Sequence, residues 1–228
     1  MRIDRLAEDA WKLLGDSPRA VLGLTGPPGA GKSTLARRLV AELGGERAAY
    51  VPLDGFHLSN AQLDRLGLRQ RKGSEPSFDA FGYAALLRRI TGRAGDEAAG
   101  AEEVYVPDFD RALDEPVAAR HLVPPGARLV VTEGNYLALD APGWRQAREL
   151  MAEVWYVEAD DGLRDARLMD RHVGFGRTAE ASRAWIDSND APNAELVKAS
   201  RSRCDRVVPG VASLTDATDA TDVTSLTT

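Results

Sequence analysis

A glycine-rich segment of fixed spacing constrains the fold of this chain more than any other feature of its sequence. Residues 26–33 read GPPGAGKS and match the pattern G-x-x-x-x-G-K-[ST] of a phosphate-binding loop. Such a loop works only where it leaves a buried strand and opens a helix. The flanking residues supply both, because residues 20–25 are apolar and residues 32–43 carry leucines at helical spacing. The sequence therefore predicts a strand–loop–helix unit that binds phosphate groups.

The residue types in this loop suit the chemistry of nucleotide phosphates. Its glycines let backbone N–H groups turn toward phosphate oxygens, and the N-terminus of the following helix adds partial positive charge. We expect Lys32 to contact the β- and γ-phosphates, Ser33 to bind Mg²⁺ and Thr34 to contact the α-phosphate. ATP is favoured over GTP because the guanine-reading motif NKxD does not occur in the sequence. The predicted nucleotide-binding residues of the loop are Gly26, Pro27, Pro28, Gly29, Ala30, Gly31, Lys32, Ser33 and Thr34.

The order of the predicted elements indicates a single α/β domain. A second apolar strand over residues 48–53 completes a βαβ unit, which implies a parallel sheet with helices on its faces. We therefore predict an α/β fold of the P-loop NTPase class over residues 1–212, with three α/β/α layers and a mostly parallel central sheet. The length of 228 residues fits one domain of this type. Further predicted elements are helices over 2–14, 59–66, 82–90, 161–171 and 179–187, a loop over 69–79, and strands over 104–106, 128–132, 154–157 and 206–208.

Two segments are expected to lie outside the packed fold. Residues 92–102 are rich in Gly, Ala and Glu, which favours a mobile connector. Residues 213–228 repeat Thr, Asp and Ala and have little apolar surface to bury. We predict that this second segment is a disordered C-terminal tail.

The charge balance narrows the classes of partner. The chain has 29 Lys and Arg residues against 35 Asp and Glu, a net charge of -6, whereas proteins that bind nucleic acid through its backbone are normally basic. Its single cysteine cannot form an intrachain disulfide, which fits a reducing compartment. No apolar run approaches the ~18 residues that cross a membrane. We therefore expect a cytoplasmic protein that binds neither nucleic acid nor membrane.

Two carboxylates lie where buried strands of the predicted sheet end. Asp54 follows the second strand, and the carboxyl ends of adjacent parallel strands border one crevice, so Asp54 is expected to face the phosphate loop. There it suits the role of general base for an acceptor hydroxyl; the alternative is a turn-forming Asp before Gly55. Glu133 ends the third core strand and is expected to hold Mg²⁺ directly or through water. The alternative for Glu133 is a strand-end salt bridge.

Five sequence blocks follow one another along the chain. They are GPPGAGKST at 26–34, LDGFHL at 53–58, RKGSEPSFD at 71–79, VPDFDR at 106–111 and TEGNYLAL at 132–139. Taken together they resemble the phosphoribulokinase/uridine kinase family of P-loop kinases, especially its bacterial pantothenate kinase branch and the nucleoside- and sugar-kinase-like members near it. The similarity covers roughly residues 20–208, and each block after the first is specific only in combination.

This resemblance implies roles for residues of the first, second and last blocks. Asp54 matches the catalytic base of the family, while Lys32 and Ser33 match its ATP- and Mg²⁺-binding residues. Glu133 matches the acid of the family's Glu-Gly block. The expected cofactors are therefore ATP and Mg²⁺.

The resemblance also implies a helical lid over residues 167–178. Arg167 and Arg171 would close over the phosphates there and bind the nucleotide, with Arg171 also stabilising the transferring charge. A solvated helix face is the alternative for these arginines. The candidates for the acceptor site, chosen on position, are Asp54, His57, Phe109, Arg111, Asn135 and Tyr136.

The resulting hypothesis is an ATP-dependent kinase that transfers the γ-phosphoryl group to a hydroxyl of a nucleoside, sugar or pantothenate-like acceptor. Two alternatives remain: a nucleotide-binding regulatory module that transfers nothing, and a nucleotide monophosphate kinase. The residue types at 69–72 fit either an anionic ligand or a solvated loop. A homodimer is also left open, since kinases of this kind are often dimers.

Overall fold

A five-stranded parallel sheet forms the centre of the computed structural model, which describes residues 1–92 and 102–215. The strands are β1 (Ala20–Thr25), β2 (Ala48–Pro52), β3 (Val104–Asp110), β4 (Glu115–Val123), β5 (Leu129–Glu133), β6 (Glu153–Glu158) and β7 (Arg206–Pro209). The helices are α1 (Ile3–Lys12), α2 (Lys32–Leu43), α3 (Asn60–Leu66), α4 (Ala80–Thr91), α5 (Pro142–Arg148), α6 (Asp161–Gly174), α7 (Ala179–Trp185) and α8 (Ala191–Ala199). The sheet order is β2–β5–β1–β6–β7 with all neighbours parallel, which confirms the predicted three-layer α/β fold.

The central strands are apolar on both sides because helices cover both faces of the sheet. All six residues of β1 are buried, and their side chains alternate between two hydrophobic clusters. Leu22 and Leu24 share a cluster with α1 and α2, whereas Val21 belongs to a cluster with α4 and α5. Each buried side chain of this size contributes about 1.5–3 kcal/mol. This packing fixes the ends of the strands, where the predicted site lies.

β3 and β4 form a separate antiparallel hairpin that the sequence only half predicts. The predicted strand over 104–106 stops before Pro107, whereas β3 continues to Asp110 and pairs with β4. The register shifts between Val106 and Asp108, so Pro107 lies at an irregularity that tolerates its missing N–H. β4 is missed because most of its residues are exposed or half-buried and show no apolar alternation.

The sequence also does not predict the helices α5 and α8, because a proline lies in the first turn of each. Pro142 opens α5 and Pro192 lies at the start of α8, positions where proline is tolerated although it otherwise marks a break. The predicted helix over 179–187 ends at Trp185 and passes through a π-helical turn, Ile186–Asp190, into α8. The predicted loop over 69–79 contains two 3₁₀ turns, at Arg69–Arg71 and Glu75–Ser77.

The two ends of the described chain meet. The N–H of Ile3 donates to the carbonyl of Thr215 at 3.3 Å, so the first residues of the predicted tail lie beside α1. The rest of that tail, from residue 216, and residues 93–101 of the predicted connector lie outside the described residues. In the part of the chain that is described, no helix has the length and apolarity to cross a membrane.

Gly55 lets the segment after β2 lie directly against the hairpin. A Cβ at this position would come within 2.2 Å of the carbonyl oxygen of Pro107, a backbone atom that cannot rotate away. Gly55→Ala is therefore expected to push the hairpin away from the segment that carries Asp54, and to lower the free energy of unfolding by about 1–3 kcal/mol. Urea unfolding measures this loss.

Gly45→Ala is the matched control for this substitution. A Cβ at Gly45 meets nothing within 4 Å, and the residue is exposed. Its stability is expected to stay within about 0.5 kcal/mol of the unmodified chain. Equal stability of the two variants would contradict the close approach at Gly55.

Candidate active site

A cleft of about 580 Å³ opens at the carboxyl ends of β1, β2 and β5. Its walls come from the loop before α2, the turn after β2, the β3–β4 hairpin and the C-terminal end of α6. The predicted site residues that line it are Pro28, Gly29, Gly31, Lys32, Ser33, Thr34, Asp54, His57, Phe109, Arg111, Glu133, Asn135 and Arg171. The fold thus brings the separate sequence blocks to one place.

The other predicted site residues do not line the cleft. Gly26, Pro27 and Ala30 belong to the buried part of the phosphate loop. Arg167 contacts the loop backbone, with its guanidinium donating to the carbonyl of Gly29 at 3.3 Å. Tyr136 is fully buried, so it supports the cleft from outside rather than lining it.

The phosphate loop has the backbone that its glycines predict. Gly29 and Gly31 have φ values of +79° and +89°, in the left-handed region that favours glycine. A Cβ on Gly29 would lie 2.8 Å from the carbonyl oxygen of Arg164, so α6 packs directly on the loop. Arg164 itself is buried, and its Nε donates to the carbonyl of Pro28 at 2.9 Å.

Lys32 begins α2 with a buried side chain. Its Nζ donates to the carbonyl of Pro27 at 3.0 Å, which holds the ammonium inside the curve of the loop. Burial lowers the pKa of Lys32 to about 8, and the carboxylate of Glu133 opposes that shift. The side chain therefore remains mostly charged at neutral pH and faces the space where anionic phosphates would bind.

Glu133 is the last residue of β5, which lies between β2 and β1 in the sheet. The βαβ unit predicted from the sequence makes β1 and β2 neighbours, but β5 runs between them, so that Glu133 is level with Leu24 on one side and Pro52 on the other. The carboxyl group is buried, and burial together with the charge of Asp54 raises the pKa of Glu133.

Ser33 and Glu133 fit the donor set that Mg²⁺ prefers. The two side chains are hydrogen-bonded to each other, so a hydroxyl oxygen and a carboxylate meet at the mouth of the phosphate loop. Mg²⁺ in such sites is held by one or two hard oxygen ligands from the protein, with phosphate oxygens and water completing the set. These two residues can therefore hold the metal of a bound nucleotide.

Asp54 lies in a 3₁₀ turn, Leu53–Phe56, on the opposite side of Glu133 from the phosphate loop. Its Oδ2 accepts from Nη2 of Arg111 at 3.3 Å, and both side chains are about two-fifths exposed. An ion pair this exposed contributes about 0–1 kcal/mol, so an incoming ligand can replace it at little cost.

Aromatic side chains line the cleft next to Asp54. The ring of His57 lies 4.0 Å from that of Phe78 and 4.7 Å from that of Phe109. Burial lowers the pKa of His57, so the ring is neutral at pH 7, and its Nδ1 donates to the carbonyl of Asp54 at 2.8 Å. Phe78 is not among the site residues predicted from the sequence, although it stands in the RKGSEPSFD block that carries part of the resemblance.

Lys72 anchors the hairpin to this side of the cleft. Its Nζ lies 2.9 Å from a carboxylate oxygen of Asp114, 2.7 Å from the side-chain oxygen of Asn60, and 4.7 Å from the centre of the Phe109 ring. Arg69 also lines the cleft. Residues 69–72 were predicted either to bind an anionic ligand or to form a solvated loop. Lys72 does neither in this structure, because its ammonium is bound by Asp114 and Asn60 within the protein.

The C-terminal end of α6 closes the remaining side. Arg171 lines the cleft, and the surrounding walls and the nearby charge of Arg111 lower the pKa of Arg171. Phe175 is 59% exposed, and the guanidinium of Arg111 lies 5.6 Å from its ring centre, so the segment after α6 and the β3–β4 hairpin meet beside Asp54. Arg164, three residues before Arg167, is not among the site residues predicted from the sequence, although it is the buried arginine that contacts the phosphate loop.

Fold and site together define a class of protein: a P-loop kinase, in which the phosphate loop opens on a cleft at the ends of the parallel strands. A sequence profile of the phosphoribulokinase/uridine kinase family matches residues 21–215. The chain belongs to this family and binds nucleotide with its P-loop.

Individual relatives agree with this assignment. A protein of Schizosaccharomyces pombe named "Putative uridine kinase C227.14" is 35% identical over 208 residues, which cover 86% of this chain and 85% of the relative. The crystal structure of a "putative fructose transport system kinase" from Silicibacter sp. TM1040 is 35% identical, with a TM-score of 0.81, and the match covers 92% of this chain and 100% of that one. D-glycerate 3-kinase from Cryptococcus neoformans shares the fold at 15% identity and a TM-score of 0.66, covering 91% and 95% of the two chains.

Proposed function

We propose that this chain is an ATP-dependent kinase that transfers the γ-phosphoryl group to a hydroxyl of a small-molecule acceptor. The observation that carries the proposal is the position of Asp54. Its carboxylate opens on the cleft that the phosphate loop lines, and the rings of His57, Phe78 and Phe109 line the same cleft. A regulatory nucleotide switch needs neither an acceptor base nor a cleft wall that could hold an acceptor.

The phosphate loop would hold the nucleotide. Lys32, held at the loop by the Pro27 carbonyl, would place its ammonium beside the β- and γ-phosphates, and the backbone N–H groups at the start of α2 would donate to the same oxygens. Ser33 and Glu133 would hold Mg²⁺, which neutralises charge on the transferring phosphoryl group when it is bound. Membership of the family implies the use of ATP, usually with Mg²⁺.

Asp54 would take the proton of the acceptor hydroxyl. Its charge reaches the phosphate loop, since it opposes the lowering of the Lys32 pKa. The acceptor would enter from the hairpin side, where Arg111 can exchange Asp54 for a group on the ligand. Arg171 would stabilise charge on the transferring group as the lid closes.

The names of two relatives suggest where to search for the acceptor. Two proteins that are 35% identical to this chain carry the words uridine kinase and fructose transport system kinase in their names. A nucleoside and a sugar both offer a primary hydroxyl to Asp54. Pantothenate is a third candidate that follows from the sequence resemblance, and the family scaffold by itself does not choose among them.

The proposal has no place for nucleic acid or membrane as partners. The net charge of -6 disfavours binding to a polyanionic backbone. A homodimer remains part of the proposal, and light scattering of the purified chain tests it: a mass near twice 24.6 kDa is expected.

Release of ADP in the presence of Mg-ATP and a panel of acceptors tests the proposed function. Uridine, fructose and pantothenate represent hydroxyl acceptors, and nucleoside monophosphates represent phosphate acceptors. ADP formation is expected to rise about tenfold or more over the acceptor-free rate with at least one hydroxyl acceptor. Stimulation by monophosphates alone would favour a nucleotide monophosphate kinase, and hydrolysis independent of any acceptor would favour the regulatory module.

A further inference from the structure

A tyrosine behind the cleft contacts the carboxylate that is proposed to bind Mg²⁺. Tyr50 lies on β2 opposite Val131 of β5, two residues before the position that is level with Glu133. Its hydroxyl donates to Oε1 of Glu133 at 2.8 Å. Tyr50 is not among the residues that line the cleft, so its effect on a bound ligand must pass through Glu133.

The protein holds the ring of Tyr50 from two sides. The guanidinium of Arg37 lies 5.0 Å from the ring centre, and the ring of His121 meets it edge-on at 5.2 Å with an interplanar angle of 89°. A phenol keeps its proton at neutral pH, so the hydroxyl of Tyr50 is the donor in its hydrogen bond to the carboxylate. The contacts with Arg37 and His121 hold the ring in the position that makes this bond.

A carboxylate that binds a metal must present a chosen oxygen in a chosen direction. Side chains that hydrogen-bond to such a ligand restrict its rotation, and their loss typically lowers metal affinity or activity about 10–100-fold. Glu133 has two carboxylate oxygens and hydrogen-bonds to both Tyr50 and Ser33. The bond at Oε1 therefore limits how the carboxylate can turn toward the mouth of the phosphate loop.

We propose that Tyr50 is a positioning residue for the metal: its hydroxyl fixes the Glu133 carboxylate so that this group and Ser33 together receive Mg²⁺ with the nucleotide. This inference rests on the proposed function, because it takes the Mg²⁺–nucleotide complex as the ligand of the loop. It assigns to Tyr50 a role without any direct contact with nucleotide or acceptor.

Calorimetric binding of ADP, with Mg²⁺ and separately with EDTA, tests this role in a Tyr50→Phe variant. The phenyl ring keeps the contacts with Arg37 and His121 and removes only the hydroxyl. The gain in ADP affinity that Mg²⁺ provides is expected to fall about tenfold. The affinity for metal-free ADP is expected to be unchanged, which also reports that the variant is folded.

Tyr83→Phe is a closely matched control. Tyr83 is fully buried, and its hydroxyl lies 2.6 Å from Oγ1 of Thr132, the residue before Glu133. The control therefore deletes a buried phenolic hydroxyl next to the same strand end without touching the carboxylate. Its ADP affinities are expected to match those of the unmodified chain with and without Mg²⁺.

The outcomes separate this inference from the proposed function. If the unmodified chain gains affinity from Mg²⁺ and Tyr50→Phe keeps the whole gain, the positioning role is wrong and the proposed kinase stands. An equal loss of affinity with and without Mg²⁺ also overturns the role, because it marks a general effect on the fold. If the unmodified chain gains nothing from Mg²⁺, the metal site of the proposed function fails, and the role of Tyr50 fails with it.

Discussion

An Asp54→Asn variant is expected to lose acceptor-dependent ADP formation, with kcat about 10²–10⁴-fold lower. The amide keeps the size of the carboxylate but cannot take the proton of an acceptor hydroxyl. Affinity for ATP is expected to stay within about threefold, because the side chain of Asp54 contacts Arg111 at 3.3 Å on the hairpin side of the cleft, and exposed ion pairs contribute little. Steady-state kinetics with the acceptor found by the panel, together with calorimetry of ATP binding, measure the two effects.

Asp140→Asn is the matched control for this experiment. Asp140 pairs with Arg145 at 3.0 Å on the surface, and that pair is somewhat more exposed than the pair between Asp54 and Arg111. The control makes the same chemical change to an Asp–Arg pair away from the cleft, and its kcat is expected to equal that of the unmodified chain. Normal turnover of Asp54→Asn would remove Asp54 from the mechanism, and loss of ATP binding would assign it to the nucleotide instead.

The parts of the site that could be predicted are those fixed by local sequence. The spacing of glycines and lysine in the phosphate loop is specific to this kind of structure, and the position of Lys32 can be predicted from that spacing alone. Glu133 ends a buried strand of a parallel sheet, a position that faces the crevice in any arrangement of the strands. Asp54 lies at the same edge, although its strand is separated from β1 by β5. The order of the strands does not matter here, because all the strand ends meet at one edge.

The parts that were missed depend on contacts between distant segments. The bond from Tyr50 to Glu133 joins residues 83 positions apart, and neither the spacing nor the residue types signal it. β4 pairs with β3 through exposed and half-buried residues, so its sequence lacks the apolar pattern of a core strand. Tyr136 stands in a conspicuous block, yet its hydroxyl donates to the carbonyl of Gly73 at 2.6 Å. Only the tertiary structure distinguishes a residue that lines a wall from one that supports it.

A Lys32→Ala variant is expected to bind ATP about 30-fold more weakly, since hydrogen bonds that involve a charged group contribute about 1.5–3 kcal/mol. Thermal unfolding with a non-hydrolysable ATP analogue measures the loss without any acceptor. At an analogue concentration of about 100 times the original Kd, the stabilisation by ligand is expected to fall from about 2.7 to about 0.9 kcal/mol. Turnover is expected to fall as well, because the proposed function places the ammonium beside the phosphates that change charge during transfer.

Lys12→Ala supplies the control, because both substitutions remove a lysine ammonium but only one removes it from the loop. Lys12 pairs with Asp9 at 2.9 Å, and its side chain is 70% exposed. Loss of such a pair changes stability by about 0.5 kcal/mol or less and leaves the analogue-dependent stabilisation intact. Equal stabilisation of both variants by the analogue, with equal turnover, would contradict the assignment of Lys32 to the phosphates and with it the use of this loop for nucleotide binding.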